Sequence, residues 1–275
     1  MYKQIRLFAT DLDDTMLISG KMPEKGIEAL RNLRKKGILV VLASGRPYYS
    51  IQRIVPDDAY DYACCYNGQD VYQASTGKHF CEPFLSQEEK IFLLSLLAKH
   101  NVFANASDEK QSYYFCDRKH LFYQYAYQAG RTVLHIFLKK HSYPRKISTE
   151  YSKVMDIDCA KICFAGFPFI LKKIQNSLDD RFVSFFVNPC WLEIQAKGIS
   201  KGNALHKVME MEHIPSSCAI AAGDGENDIP LLEACDYRIA VANAMPKVKK
   251  AANIHIGPSF TESLPKWIQK NLTGE

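Results

Sequence analysis

The sequence contains no run of 18 consecutive apolar residues, and only a short apolar stretch precedes its first carboxylate, Asp11. A membrane-spanning helix needs about 20 apolar residues, and a signal peptide needs an apolar segment of roughly 7–15 residues. The nine cysteines include no Cys-x-x-Cys pair, which argues against a zinc ribbon or a thioredoxin-type site. We therefore expect a reduced, cytoplasmic protein with no membrane segment.

Basic residues are neither abundant nor clustered. The formal net charge is +5, and the clearest basic run, KVKK at 247–250, is short. Nucleic-acid-binding domains are usually more basic, with the charge concentrated on one face. The eight histidines show no spacing typical of metal ligands. The charge pattern disfavours a nucleic-acid partner and suggests at most a weak attraction for anionic small molecules.

Apolar strands alternate with helical patterns near both ends of the chain. Residues 5–9 and 38–44 are nearly continuous apolar runs, and the helix predicted between them spans 23–37. Strands of this kind, joined by a helix, indicate a right-handed parallel crossover. Residues 62–73 predict two further strands joined at Asn67-Gly68, a typical hairpin signal.

The middle of the chain is richer in aromatic residues and mixes helices with strands, and after about residue 190 the first alternation returns. A length of 275 residues suits one large or two modest domains. We predict an α/β fold with a doubly wound, mostly parallel Rossmann-like core formed by residues 1–83 and 189–275. An α+β domain at 84–188 is inserted into it.

The segment FATDLDDTML at 8–17 places Asp11, Asp13 and Asp14 directly after an apolar strand. Three neighbouring carboxylates repel one another unless a cation lies among them. In open parallel sheets, ligands bind beyond the carboxyl ends of the strands. This position therefore indicates a ligand site.

Other polar residues follow further strands or begin helices. They are Ser44, Gly45 and Arg46 after the second strand, Lys201 at a helix start, and Asp224, Asn227 and Asp228 in AIAAGDGENDIP. Taken singly, each of these is commonly a helix cap, a surface turn or a solvated lysine. Their joint placement at strand ends makes a shared site the better interpretation. Oxygen ligands without a histidine or cysteine set suit Mg²⁺ and fit zinc poorly.

These segments resemble the four motifs of the haloacid dehalogenase superfamily. DLDDT is similar to its Asp-x-Asp-x-Thr motif, Ser44 in LASGR to the second motif, Lys201 in GISKGNAL to the third, and GDGENDIPLL to the fourth. YNGQDVY, VANAMPKVKKAA and the long insertion resemble the Cof-type branch, whose α/β cap lies between the second and third motifs. One departure is Asp14, where many relatives have glycine.

The resemblance implies a role for each motif residue. Asp11 would be the nucleophile and a metal ligand, and Asp13 the general acid and base, with its backbone carbonyl on the metal. Asp224 would bind Mg²⁺, and Asp228 would lie in or just behind that ligand shell. The expected phosphate-binding groups are Ser44, the Gly45 N–H, Lys201 and Asn227. Thr15 would brace the nucleophile loop.

Two residues have open interpretations. Arg46 contacts substrate, holds the cap in place or forms a surface salt bridge. Asn67 either edges the pocket or serves only as a turn residue.

The predicted function is Mg²⁺-dependent hydrolysis of small phosphate monoesters, such as sugar phosphates, through an aspartyl-phosphate. The expected partner is a small phosphorylated metabolite, and the cap at 84–188 would confer specificity. A phosphomutase of the same superfamily is the nearest alternative. A metal-dependent glycosyltransferase is less favoured, because its Asp-x-Asp motif usually lies well into the chain, whereas Asp11 lies close to the first residue.

Overall fold

The structure, a computed structural model, describes residues 2, 4–107, 112–126, 129–130, 147–150 and 152–274. Residues 131–146 of the predicted cap lie outside this set. The strands are β1 (Leu7–Thr10), β2 (Leu39–Ala43), β3 (Tyr62–Cys65), β4 (Asp70–Gln73), β5 (Lys78–Cys81), β6 (Phe103–Ser107), β7 (Ser112–Cys116), β8 (Ile147–Ser148), β9 (Lys161–Ala165), β10 (Phe182–Asn188), β11 (Trp191–Ala196), β12 (Ala219–Gly223), β13 (Tyr237–Ala240) and β14 (Ile254–His255).

Most helices are short and connect these strands. They are α1 (Glu24–Lys35), α2 (Tyr48–Gln52), α3 (Gln87–Lys99), α4 (Ser152–Met155), α5 (Pro168–Asn176), α6 (Lys201–Met211), α7 (Ile229–Glu233), α8 (Pro246–Ala251) and α9 (Ser263–Ile268). No helix in the described ranges is both long and apolar enough to cross a membrane.

The chain forms two compact units. The first unit comprises Met1–Glu82 and Gly198–Glu275, and the second comprises Pro83–Lys197. The predicted boundary after residue 188 falls inside the β10–β11 hairpin, where Ser184 pairs with Ile194. Because β11 pairs with β9 as well as β10, the second unit extends to Lys197.

The first unit contains an eight-stranded sheet in the order β14-β13-β12-β1-β2-β3-β4-β5. The six strands from β14 to β3 are parallel, and β4 and β5 are antiparallel to their neighbours. Strand β1 lies at the centre and is completely buried, so it needs apolar residues on both faces. This arrangement confirms the predicted doubly wound α/β core.

Local signals explain where α1 begins and ends. Pro23 precedes the helix, and Leu30 and Leu33 are buried on its inner face. Gly37 has a φ of +76° just beyond the helix, and the N–H of Ile38 donates to the Leu33 carbonyl at 3.0 Å. A left-handed glycine at this position ends a helix without steric cost. The helix predicted at 23–37 is therefore confirmed, and the observed helix is one residue shorter at its start and two residues shorter at its end.

The second unit contains a six-stranded, mostly antiparallel sheet in the order β10-β11-β9-β6-β7-β8. Alternate residues of its strands, such as Ala104, Phe164 and Leu192, share a buried apolar cluster with Leu93 of α3 and Leu171 of α5. Ser86 begins α3 with a complete capping box to Glu89. A sheet with helices against it matches the α+β character predicted for the insertion.

Candidate active site

The ends of β1 and β12 lie side by side. Thr10 is in register with Ala222, and the N–H of Asp11 donates to the Ala222 carbonyl at 2.9 Å. Asp11 and Asp224 each follow their strand directly, so parallel pairing brings the two acidic loops together. Thr15 links the loops further, because its hydroxyl donates to Asp224 Oδ1 at 3.1 Å. This is the bracing position predicted for Thr15.

Three carboxylates form one group at this edge of the sheet. Asp11, Asp224 and Asp228 each offer an oxygen atom, and these atoms lie within 4.8 Å of one another. Asp11 and Asp228 are buried. In the part of the chain that the structure describes, no other set of three acidic, histidine or cysteine ligands is this close. All three acids of this group belong to segments that the sequence motifs singled out.

Lys201 joins two of these acids. Its ammonium donates to Asp11 Oδ1 and to Asp228 Oδ1, both at 2.6 Å, and the side chain is 1% exposed. Burial alone would lower the pKa of Lys201, but the charges of Asp11 and Asp228 outweigh it and raise the pKa. Burial, followed by the charge of Asp228, raises the pKa of Asp11 well above its ordinary value. One lysine cannot neutralise three carboxylates, so a cation is favoured beside them.

Asp228 is held by backbone groups as well. Its Oδ2 accepts the N–H of Asp224 at 3.0 Å and the N–H of Gly225 at 2.9 Å. A Cβ atom on Gly223 would lie 2.5 Å from the Asp228 Cβ, so only glycine allows this approach. Both Asp228 oxygens are thus engaged by the protein, which suits a residue that orients Lys201 and the Asp224 loop.

Asp13 lies apart from the three-carboxylate group. Arg46 binds it with two hydrogen bonds, Nε to Oδ2 at 2.7 Å and Nη2 to Oδ1 at 2.6 Å. Arg46 Nη1 also donates to the Ser50 hydroxyl at 3.1 Å. Among the interpretations left open for Arg46, the structure displays a salt bridge, and its partner Asp13 is the predicted general acid.

The remaining predicted residues lie on adjacent loops of the same unit. Ser44 is buried after β2, its hydroxyl accepts the N–H of Arg46 at 3.2 Å, and Gly45 lies between these two residues. Asn227 donates through Nδ2 to Asn67 Oδ1 at 3.1 Å. The hairpin loop differs from the prediction, since Cys65 pairs with Asp70 and four residues separate the strands.

Sequence reasoning missed Asn243 as a site residue. Asp14 has a left-handed φ of +55°, which explains why glycine suits this position, and its carbonyl accepts Asn243 Nδ2 at 2.7 Å. Asn243 Oδ1 in turn accepts the N–H of Ser259 at 2.8 Å. Asn243 lies in the segment VANAMPKVKKAA, which resembles the family. Nothing in the spacing of that segment shows that its asparagine supports a turn far away in the sequence.

The pKa of Asp224 predicts how pH affects stability. Burial and the charge of Asp228 raise this pKa to about 7. A carboxyl whose folded pKa exceeds its unfolded value favours folding below the unfolded pKa, and this contribution disappears as pH rises through the folded pKa. We expect the metal-free Asp224→Asn variant to gain stability over the wild type between pH 5 and pH 8, by on the order of 2 kcal/mol. Urea unfolding with a chelator measures this, and parallel pH profiles would contradict it.

Comparison with known proteins places this geometry in a family. The chain is 25% identical over 280 residues to pyridoxal phosphate phosphatase YbhA of Escherichia coli (strain K12), covering 97% of this chain and 98% of the relative. It is 25% identical over 284 residues to 5-amino-6-(5-phospho-D-ribitylamino)uracil phosphatase YbjI of the same organism, covering 98% and 97%. The crystal structure of SMU.1108c from Streptococcus mutans UA159 has the same fold, with a TM-score of 0.80, 21% identity and coverage of 98% and 99%.

A family profile described as haloacid dehalogenase-like hydrolase matches residues 8–268, from within β1 to the last residue of α9. The match includes all four motif segments, three after strands and one at a helix start, and the whole second unit. It confirms the resemblance found in the sequence motifs, and this chain belongs to the haloacid dehalogenase-like hydrolases.

Proposed function

We propose that this protein is a Mg²⁺-dependent phosphatase that hydrolyses small phosphate monoesters through an aspartyl-phosphate on Asp11. The observation that carries the proposal is the buried Asp11 carboxylate, which ends the central strand and accepts a hydrogen bond from Lys201 beside two further acids. The names of the relatives YbhA and YbjI, each a phosphatase of a small phosphorylated compound, support it.

The donor set fits magnesium. Asp11, Asp224 and Asp228 offer only carboxylate oxygens, and the cluster contains neither the nitrogen nor the sulfur ligands that zinc prefers. We infer that Asp11, Asp224 and the Asp13 backbone carbonyl would bind the ion, with Asp228 in or just behind this shell. The ion would supply positive charge to the phosphoryl oxygens and relieve the repulsion among the acids.

Asp11 is suited to nucleophilic attack. Lys201 engages Oδ1, and across the described residues no hydrogen-bond donor of the protein reaches Oδ2. In the proposed first step, an Asp11 oxygen forms a bond to phosphorus while the bond from phosphorus to the substrate alcohol breaks. Lys201, Ser44, the Gly45 N–H and Asn227 would stabilise the negative charge on the phosphoryl group.

Asp13 would act as general acid in the first step and as general base in the second. It gives a proton to the departing alkoxide, and then takes one from the water that attacks phosphorus and releases Asp11. In the structure both Asp13 oxygens accept hydrogen bonds from Arg46. Protonation removes the charge that strengthens both bonds, and the Asp13 O–H must point at the leaving oxygen rather than at Arg46. The pairing with Arg46 must therefore weaken before the acid step.

We also propose that the second unit is a cap that determines which ester is accepted. Its described residues contain no three-acid group like that of the first unit. They do contain a buried ion pair between Lys161 and Glu193, with Nζ and Oε1 2.7 Å apart. Buried ion pairs are poor stabilisers compared with apolar packing. The expected substrate is a small phosphorylated metabolite in the cytoplasm.

Phosphate release from a panel of monoesters tests this function. We expect release with Mg²⁺ and none with a chelator, for several sugar phosphates and for p-nitrophenyl phosphate. A phosphomutase of the same superfamily would instead move the phosphoryl group to a second hydroxyl of the substrate, which phosphorus NMR distinguishes from free phosphate. Absence of both products across the panel would contradict the proposal.

Asp13→Asn should slow the hydrolysis of esters with poor leaving groups more than that of esters with good ones. A sugar alkoxide needs a proton as it departs, whereas p-nitrophenolate does not. We expect a loss of about a hundredfold or more in kcat for a sugar phosphate. The loss for p-nitrophenyl phosphate should be smaller, and it reports the second role of Asp13 as base. Equal losses on both esters, measured under the same Mg²⁺ concentration, would exclude Asp13 as the acid.

A further inference from the structure

The turn between β3 and β4 has an unusual backbone. Three successive residues have left-handed conformations, with φ of +49° at Tyr66, +59° at Asn67 and +100° at Gly68. Asn67 is completely buried and Tyr66 nearly so. Non-glycine residues adopt this conformation at a cost and keep it only where surrounding contacts enforce it. Neighbouring parts of the structure must therefore hold this turn in place.

Backbone hydrogen bonds join the turn to the end of β2. The N–H of Asn67 donates to the Ser44 carbonyl at 2.9 Å, and the N–H of Tyr66 donates to the Arg46 carbonyl at 2.9 Å. These two bonds flank Gly45. The segment that is proposed to offer the Ser44 hydroxyl and the Gly45 N–H to phosphate is thus fixed from one side by the turn.

The turn reaches two other phosphate-binding elements as well. Asn67 Oδ1 accepts the Asn227 Nδ2 at 3.1 Å, so it fixes the orientation of that amide. A Cβ atom on Gly68 would lie 2.4 Å from the Ser200 carbonyl oxygen and 2.9 Å from the Ala204 Cβ. The turn can therefore lie directly against the start of α6, where Lys201 follows Ser200, only because residue 68 is glycine.

We propose that Asn67 is a positioning residue that sets the geometry of the phosphate-binding groups. It contacts Ser44 through its backbone and Asn227 through its side chain, and its neighbour Gly68 lies against Ser200, the residue before Lys201. This inference rests on the proposed phosphatase function, since it assigns a purpose to contacts among groups proposed to bind phosphate.

Position 67 requires a left-handed backbone and a side-chain oxygen that accepts from Asn227, and asparagine supplies both. It tolerates the left-handed conformation better than other residues with a β-carbon, and its side chain supplies the oxygen that Asn227 needs. Glycine would satisfy the backbone alone. Asn67→Gly therefore removes the bond to Asn227, while residue 67 keeps its left-handed conformation without strain. The variant thus separates positioning from the backbone requirement.

Calorimetric binding of inorganic phosphate in the presence of Mg²⁺ tests the proposal. We expect Asn67→Gly to weaken phosphate binding roughly threefold to tenfold, the loss of one net hydrogen bond. We expect the double variant Asn67→Gly/Asn227→Ala to bind as weakly as Asn227→Ala alone, since Asn67 acts through Asn227. A melting temperature near that of the wild type would show that the fold is kept.

Asn253→Ala is a matched control. Asn253 also accepts a backbone N–H, from Arg238, and donates to a backbone carbonyl, of Asp236, but it lies at the β13–β14 end of the sheet. Its loss should leave phosphate binding unchanged. The positioning role would be overturned if Asn67→Gly bound phosphate as tightly as the wild type. It would also be overturned if the double variant lost the product of the two single losses in affinity. Neither result would contradict the proposed phosphatase function. A wild type that neither binds nor releases phosphate would overturn the proposed function together with the positioning role.

Discussion

Asp11→Asn should abolish turnover of phosphate monoesters, with a loss of about four orders of magnitude or more in kcat, as for other nucleophile deletions. An amide oxygen is a far weaker nucleophile than a carboxylate, and Asp11 is the residue that directly follows the central strand β1. The phosphorylated wild-type enzyme should be trapped by rapid acid quench with Asp11 modified, and the variant should give no such adduct.

The same variant should keep its fold. Asp11 is buried, and its burial together with the charge of Asp228 raises its pKa, so the ionised form is costly in the metal-free protein. An asparagine oxygen can still accept the hydrogen bond from Lys201. We expect the free energy of unfolding of the metal-free variant to equal or exceed that of the wild type.

Asp14→Asn provides the control in the same loop. Asp14 is exposed, and its contact with Asn243 uses the backbone carbonyl rather than the carboxylate. Asparagine also tolerates the left-handed conformation of residue 14. We expect the activity of Asp14→Asn to be within a few-fold of that of the wild type. If Asp11→Asn retains turnover similar to that of Asp14→Asn, Asp11 is not the nucleophile.

The parallel core was predictable because its strands are buried on both faces. Continuous apolar runs such as 38–44 are rare outside parallel sheets, and each was followed by polar residues at the strand end. The same rule predicts from the sequence that Asp11, Ser44 and Asp224 lie at one edge of the sheet. In this region, sequence pattern and tertiary structure are set by the same requirement for burial.

Other features depend on contacts that no local pattern records. The pairing of β11 with β9 joins Trp191–Ala196 to the second unit, although the segment reads equally well as a core strand. Asp13 and Arg46 are 33 positions apart, and their pairing depends on how two loops meet. The support of Asp14 by Asn243 spans 229 positions. Such long-range contacts are decided by three-dimensional packing.

Lys201→Met should impair both stability and catalysis. Methionine approximates the length of the lysine stem, but it removes the charge that Asp11 and Asp228 share at 2.6 Å each. Removing one partner of a buried ion pair typically costs about 3–5 kcal/mol, because the other charges stay buried without compensation. We expect a loss of this order in the free energy of unfolding of the metal-free protein, measured by urea denaturation.

Lys207→Met is the matched control for this variant, because it places the same substitution on the same helix. Lys207 pairs with Glu82 at the surface, where both side chains are substantially exposed. Exposed ion pairs contribute about 0–1 kcal/mol, so the control should remain close to the wild type in stability and activity. Equal destabilisation by the two substitutions would show that the buried position of Lys201 carries no special electrostatic role.

Magnesium separates the two effects of Lys201→Met. A cation among the carboxylates replaces part of the missing positive charge, so Mg²⁺ should raise the melting temperature of the variant more than that of the wild type. Turnover should nevertheless stay about a thousandfold low at saturating Mg²⁺, because the donor to the phosphoryl oxygens is still absent. Stability restored by Mg²⁺ without activity would assign Lys201 to catalysis as well as to charge balance. If Mg²⁺ restored both stability and turnover, Lys201 would serve only to balance charge and would not belong to the phosphate-binding groups.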